Sequence, residues 1–241
     1  MASLAKCGFI ALDGIAQREI LFCAERLQGH AYGIKVEGAA FHGTISMREF
    51  LGELKQMGFA VFADAKIYRR PPAAADEVAA LAWCGADFIT VHASGGREML
   101  EASIIAFRAA HGQAPDGSTP GKGILALTVL TSDNRLSGPR LESEVLRLAE
   151  EARFMEAYGV ICSPLELPML KKRWRNLKCI TPGIEFEDLG NDKHARSDTP
   201  VNALTNGAHQ LVIGTAITDG WDPSQMVERI HRINASIAHL P

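Results

Sequence analysis

The chain has 241 residues, 47% of them hydrophobic and 22% charged, with a formal net charge of −3. That balance fits an ordinary water-soluble globular protein and gives no electrostatic reason to expect nucleic acid or an anionic membrane surface as partner. No apolar run reaches membrane-spanning length, and the length suits one α/β domain of the ~250-residue kind.

In chain order, short apolar runs alternate with amphipathic stretches. The first run, "CGFIALD", lacks the long apolar region of a signal peptide and ends in Asp13. "AQREILFCAERLQ" follows with helical spacing, then the run "AYGIKV", which brings Lys35 and Glu37 to a strand end. "SMREFLGELKQMG" leads to "FAVFADAK", where Asp64 and Lys66 lie two residues apart and so face one way on an extended strand. After "ADEVAALAWCGA", "DFITVHA" presents His92. "REMLEASIIAFRAAHG" and the polar loop 111–123 precede "ILALTVLTS", with Thr131 and Ser132 at its end. In "ESEVLRLAEEARFMEAYG", Val145, Leu148, Ala149, Ala152 and Met155 mark one helical face. "GVICS" ends in Ser163, placed before Pro164 to cap the following helix, and the basic run "KKRWR" reads as a solvated helix end. "KCITPG" brings Thr181, Pro182 and Gly183, "QLVIGTA" brings Gly214 and Thr215, and a last amphipathic segment, "PSQMVERIHRINASIAHL", closes the chain.

Eight strands buried on both faces, separated by about eight helices, predict a parallel sheet closed into a single-domain (β/α)8 barrel spanning 1–241. No G-x-G-x-x-G follows the first strand, against an open dinucleotide-binding sheet. Five cysteines, scattered singly and odd in number, argue against a disulfide framework or zinc site and for a reducing, cytoplasmic setting. In such a barrel the site lies at the C-terminal strand ends. Lys35, Asp64 and Lys66 then form an alternating + – + set, each charge compensating its neighbour. The glycines of "TPGI" and "VIGTAI" suit the anion site that strands 7 and 8 usually supply. Asp64, His92 and Glu37 match no dedicated metal site, and the lysines would repel a cation.

Taken together, "FIALD", "IKVEG", "DAKIYRRPP", "TVHASGG", "LTVLTS", "TPGI" and "VIGTAITDGWDP" resemble the motifs of the orotidine 5'-monophosphate decarboxylase family over nearly the whole chain. The resemblance implies a carboxy-lyase of pyrimidine biosynthesis that needs no cofactor and no metal. It implies a homodimer with shared active sites, with Lys66, Asp64 and Lys35 catalytic. Asp13 would meet the ribose, His92 would be a further substrate contact, and Thr131 and Ser132 would meet the pyrimidine edge. Pro182, Gly183, His194, Gly214 and Thr215 would surround the phosphate.

Both ends of the expected substrate site depart from that pattern. Arg69 stands where the D-x-K-x-x-D motif has its second acid, contributed in the family by the partner subunit. Thr215 replaces the phosphate-binding arginine, Glu185 the arginine after "PGI", and Lys193-His194 the Asp-Gln of the phosphate loop. By charge alone, a cation at 69 favours a substrate carboxylate over a transition state that is losing it. Two alternatives therefore stand beside the decarboxylase: a superfamily relative acting on another phosphorylated anion, and a nucleotide-binding homologue without catalysis. Neither nucleic acid nor membrane is an expected partner.

Overall fold

A computed structural model describes residues 1–112, 119, 121–133, 135–186 and 196–241. Its strands are β1 (Gly8–Ala11), β2 (Gly33–Val36), β3 (Ala60–Ile67), β4 (Phe88–His92), β5 (Gly123–Leu127), β6 (Gly159–Ile161), β7 (Cys179–Thr181) and β8 (Gln210–Ile213). They pair in parallel in chain order, and β8 closes on β1, giving the expected eight-stranded barrel. The helices outside it are α1 (Leu4–Cys7), α2 (Gln17–Leu27), α3 (Met47–Gln56), α4 (Pro71–Trp83), α5 (Arg97–His111), α6 (Gly138–Phe154), α7 (Leu167–Arg173), α8 (Pro200–Thr205), α9 (Thr215–Thr218) and α10 (Pro223–Ile237). None of the described helices is long and apolar enough to cross a membrane.

Alternation along each strand sends one set of side chains into the barrel and the other under the helices. The inner set includes Phe9, Phe62, Phe88, Leu125, Leu127, Ile161, Ile180 and Val212. The outer set, with Ile10, Ile34, Val61, Ile89 and Val160, joins the larger core beneath the helices. Around the inner layer, large residues pair with glycines across strands: Phe9 with Gly33, Phe88 with Gly123, and Leu125 with Gly159. The Phe9 ring meets Tyr32, Phe62 and Phe88 edge-on at centroid distances of 5.2, 5.3 and 5.5 Å. A Cβ at Gly33 would lie 2.3 Å from the Ala60 carbonyl oxygen and 2.5 Å from the Phe9 ring, so the aromatic layer requires glycine there.

Two local features aim residues at the mouth. In β3 the register with β4 shifts between Ala63 and Ile67, and Lys66 takes φ of 48°. This left-handed conformation is uncommon for a lysine and belongs to a bulge that turns the strand end. The Lys66 N–H donates to Thr90 Oγ1 at 2.8 Å, which holds the bulge. Beyond it, Arg70 is the residue before α4, and Pro71 and Pro72 fill the first helical turn, where a missing N–H costs nothing. The double proline after the arginines is thus a helix start.

Candidate active site

The strand ends open into a cavity of about 430 Å³. Asp13, Lys35, Glu37, Asp64 and Lys66 line one side. Leu127, Val129, Leu130, Thr131 and Ser132 come from β5 and the loop after it, and Pro182 and Gly183 from the end of β7. Gly214, Thr215, Thr218 and Trp221 complete the wall beyond β8.

Lys35 is the most enclosed charge of this group, its side chain 7% exposed. Its Nζ donates to Asp13 Oδ2 at 2.7 Å and Oδ1 at 2.9 Å, to Asp64 Oδ2 at 3.1 Å and to Glu37 Oε2 at 3.2 Å. Lys66, 38% exposed, donates to the same two oxygens: Asp64 Oδ2 at 2.7 Å and Glu37 Oε2 at 2.5 Å. Thr90 Oγ1 donates to Asp64 Oδ1 at 2.7 Å. The expected + – + row is therefore closed by Glu37 into a ring in which two ammoniums and two carboxylate oxygens alternate. With Asp13, three carboxylates face two ammoniums, leaving one net negative charge at the cavity wall.

Burial opposes the charges of Lys35, Lys66, Asp64 and Asp13, and the partners overcome it for the first three. For Lys35 and Lys66 burial pushes the pKa down, but Asp64 and the other carboxylates push it further up, so both sit above the ordinary value. For Asp64 burial pushes up while Lys35 and Lys66 pull harder down, and it lies well below the usual carboxylate range. Asp13 is the exception: burial outweighs the pull of Lys35, and its pKa is raised. Lys66 is thus held as an ammonium, poised to donate rather than to accept a proton.

Other candidates fall elsewhere. His92 ends β4 but packs edge-on against Tyr68, 5.8 Å between centroids, and is not among the cavity-lining residues. Burial, and then the nearby Lys66, lower its pKa below the ordinary imidazole value. The Arg69 side chain is 64% exposed and turns from its own cavity to Glu77, with Nε 3.4 Å from the carboxylate. His194, and Lys193 before it, lie outside the described residues. Asp13 is engaged by Lys35, and Glu19 serves the start of α2 by accepting from the Ala16 N–H at 3.0 Å. Ser163 caps as expected, its Oγ accepting from the Leu165 N–H at 3.2 Å.

Arg196 has a role that its sequence position hides. Its guanidinium donates to Glu166 Oε1 at 2.7 Å and to the Leu130 carbonyl at 2.6 Å. Glu166 in turn accepts from the Ser163 N–H at 2.9 Å. This pair, with side chains 12% and 6% exposed, ties the β5 loop carrying Thr131 and Ser132 to the turn after β6. Glu185, where the resembled motif has an arginine, accepts from Ser197 Oγ at 2.6 Å.

An eight-stranded βα barrel with a lysine–carboxylate ring at its C-terminal mouth has the architecture of an enzyme acting on a small molecule. The model of the orotidine 5'-phosphate decarboxylase / HUMPS family matches residues 9–230, and the chain belongs to that family. A protein of Dichelobacter nodosus described as orotidine 5'-phosphate decarboxylase is 35% identical over 228 residues, covering 92% of this chain and 95% of its own. One of Chromobacterium violaceum with the same description is 36% identical over 230 residues, covering 92% and 89%. Among solved structures, orotidine 5'-phosphate decarboxylase from Lactobacillus acidophilus superposes with a TM-score of 0.73 at 27% identity, covering 95% of this chain and 98% of that one.

Proposed function

We propose that this cavity decarboxylates orotidine 5'-monophosphate to uridine 5'-monophosphate without a cofactor. The observation that carries the reading is the ring of Lys35, Asp64, Lys66 and Glu37 at the strand ends of a chain in this family. Loss of CO2 breaks the bond from C6 to the carboxylate carbon and leaves the electron pair on C6. The Lys66 ammonium stabilises that pair and delivers its proton to C6, and water then reprotonates the amine. Asp64 and Lys35 orient Lys66, and Asp13, bound to Lys35, meets the ribose. Thr131 and Ser132 face the pyrimidine edge. Pro182, Gly183, Gly214 and Thr215 form the phosphate end.

The net negative wall crowds a substrate carboxylate and is relieved as neutral CO2 departs and the charge moves to C6 beside the Lys66 ammonium, the direction decarboxylation requires. Arg69 turns outward, so it does not counter this effect from within its own cavity. We propose further that two copies form a homodimer. Tyr68 and Arg69, both exposed beside the cavity, are then available to the neighbouring site. A cytoplasmic setting is supported by the five unpaired thiols.

The test is single-turnover decarboxylation with concentrated protein, followed by loss of the substrate's ultraviolet absorbance. Turnover that disappears in Lys66→Ala supports the assignment. Absence of turnover by the unsubstituted protein overturns it.

A further inference from the structure

We infer that Glu37, the residue after β2, is the second acid of the Lys66 site and that it acts from within the same chain as a positioning residue for the Lys66 ammonium. The inference deepens the decarboxylase reading and rests on it for the reaction concerned.

Geometry carries it. Glu37 Oε2 lies 2.5 Å from Lys66 Nζ and 3.2 Å from Lys35 Nζ, repeating from just beyond β2 what Asp64 Oδ2 does from β3 at 2.7 and 3.1 Å. Among the described residues, the side-chain partners of Lys66 Nζ are these two carboxylates. An ammonium held by two acids from different strands is fixed in direction, whereas one held by Asp64 alone could swing about that bond. Glu37 lines the cavity, so the proton it helps aim is directed at bound substrate. The position at which the resembled motif has its second acid holds Arg69, which points away to Glu77. The carboxylate missing there has a counterpart in Glu37, supplied in cis.

Electrostatics agree. Lys66 faces Asp64 on its own strand, Glu37 and Lys35 from β2, and His92 from β4. Burial lowers the Lys66 pKa and Lys35 lowers it further, while Asp64 and the Glu37 hydrogen bond raise it, with a net rise. Removing the Glu37 charge therefore moves the Lys66 titration downward, and with it the alkaline limb of kcat.

The experiment compares wild type, Glu37→Gln and Glu37→Asp in three readouts. These are kcat and KM for orotidine 5'-monophosphate, the pH profile of kcat, and titration of the Lys66 side-chain nitrogen by ¹⁵N NMR, assigned with Lys66→Arg. Glu37→Gln is expected to lower kcat about tenfold or more with a smaller change in KM, and to move both the alkaline limb and the Lys66 titration down by about one pH unit. Glu37→Asp should recover part of each. If Glu37→Gln matches wild type in kcat, alkaline limb and Lys66 titration, the inference is wrong. If wild type does not turn over orotidine 5'-monophosphate, the functional reading fails. The NMR titration then still decides whether Glu37 holds Lys66, an unmoved titration overturning the inference.

Discussion

Asp64 shows how one residue can serve both stability and chemistry. Its Oδ2 sits between two ammoniums at 2.7 and 3.1 Å, and its Oδ1 accepts from Thr90. Asp64→Asn leaves Lys35 enclosed with less compensating charge, and it should cost about 3–5 kcal/mol in urea unfolding at pH 7. The pH dependence has a definite sign. Asp64 lies below its ordinary 3.8, so its contribution is present above that value and is lost as pH falls through the depressed folded pKa. Asp13 is raised, so it adds a little stability as pH falls through its folded pKa toward 3.8, above the range in which the Asp64 contribution is lost. Lys35 and Lys66 are raised above 10.5, so their contribution is full below that value and fades only as pH rises through the higher folded pKa. Urea midpoints from pH 2 to 11 should therefore be flat across neutrality. The acid loss should begin below about pH 4 and be smaller in Asp64→Asn. For chemistry, Lys66→Ala should lower kcat by about a thousandfold while thermal unfolding changes little, because Lys66 is the less buried of the two lysines.

At the scale of elements, the barrel's inner layer and its mouth depend on different devices. Gly33 on β2 makes room for Phe9 on β1. Gly33→Ala forces either the Phe9 ring or the β3 backbone to move. A loss of about 1–3 kcal/mol by calorimetry is expected, with the far end of the cavity intact. At the mouth, the β3 bulge lets Lys66 fold back onto Asp64. There the two residues meet at 2.7 Å, with Lys66 at φ of 48°. The Arg196–Glu166 pair fastens the β5 loop. Arg196→Ala leaves Glu166 buried without its cation, and should destabilise by about 3–5 kcal/mol. It should also raise KM more than it lowers kcat, since Thr131 and Ser132 lose their anchor while Lys66 keeps its ring. Steady-state kinetics on the folded variant check this.

At the scale of the whole molecule, the proposed homodimer predicts light-scattering masses of twice the 26.1 kDa chain. A protein that stays monomeric while turning over substrate would end the shared-site reading. What was legible in the sequence follows from the range of the forces involved. Continuous apolar runs and helical stripes are local, so eight strands and their order could be read directly, and their count pointed to closure into a barrel. Residue types at strand ends, Lys35, Asp64 and Lys66 among them, followed once the barrel was in hand, because topology places those ends together. Family membership was legible in the order of the motifs. The tertiary structure alone decided how the charges meet. Which carboxylate closes the ring depends on the register of β2 against β3 and on a bulge held by Thr90, and neither leaves a periodic signal in the chain. That is why Glu37 could be seen at a strand end yet not as a partner of Lys66. It is also why Arg69, three residues beyond Lys66, faces Glu77 instead of the cavity. Local sequence determined the elements and the chemistry available at their ends. The angles and distances between strands determined which of those groups touch, because an ion pair depends on separation in space and not along the chain.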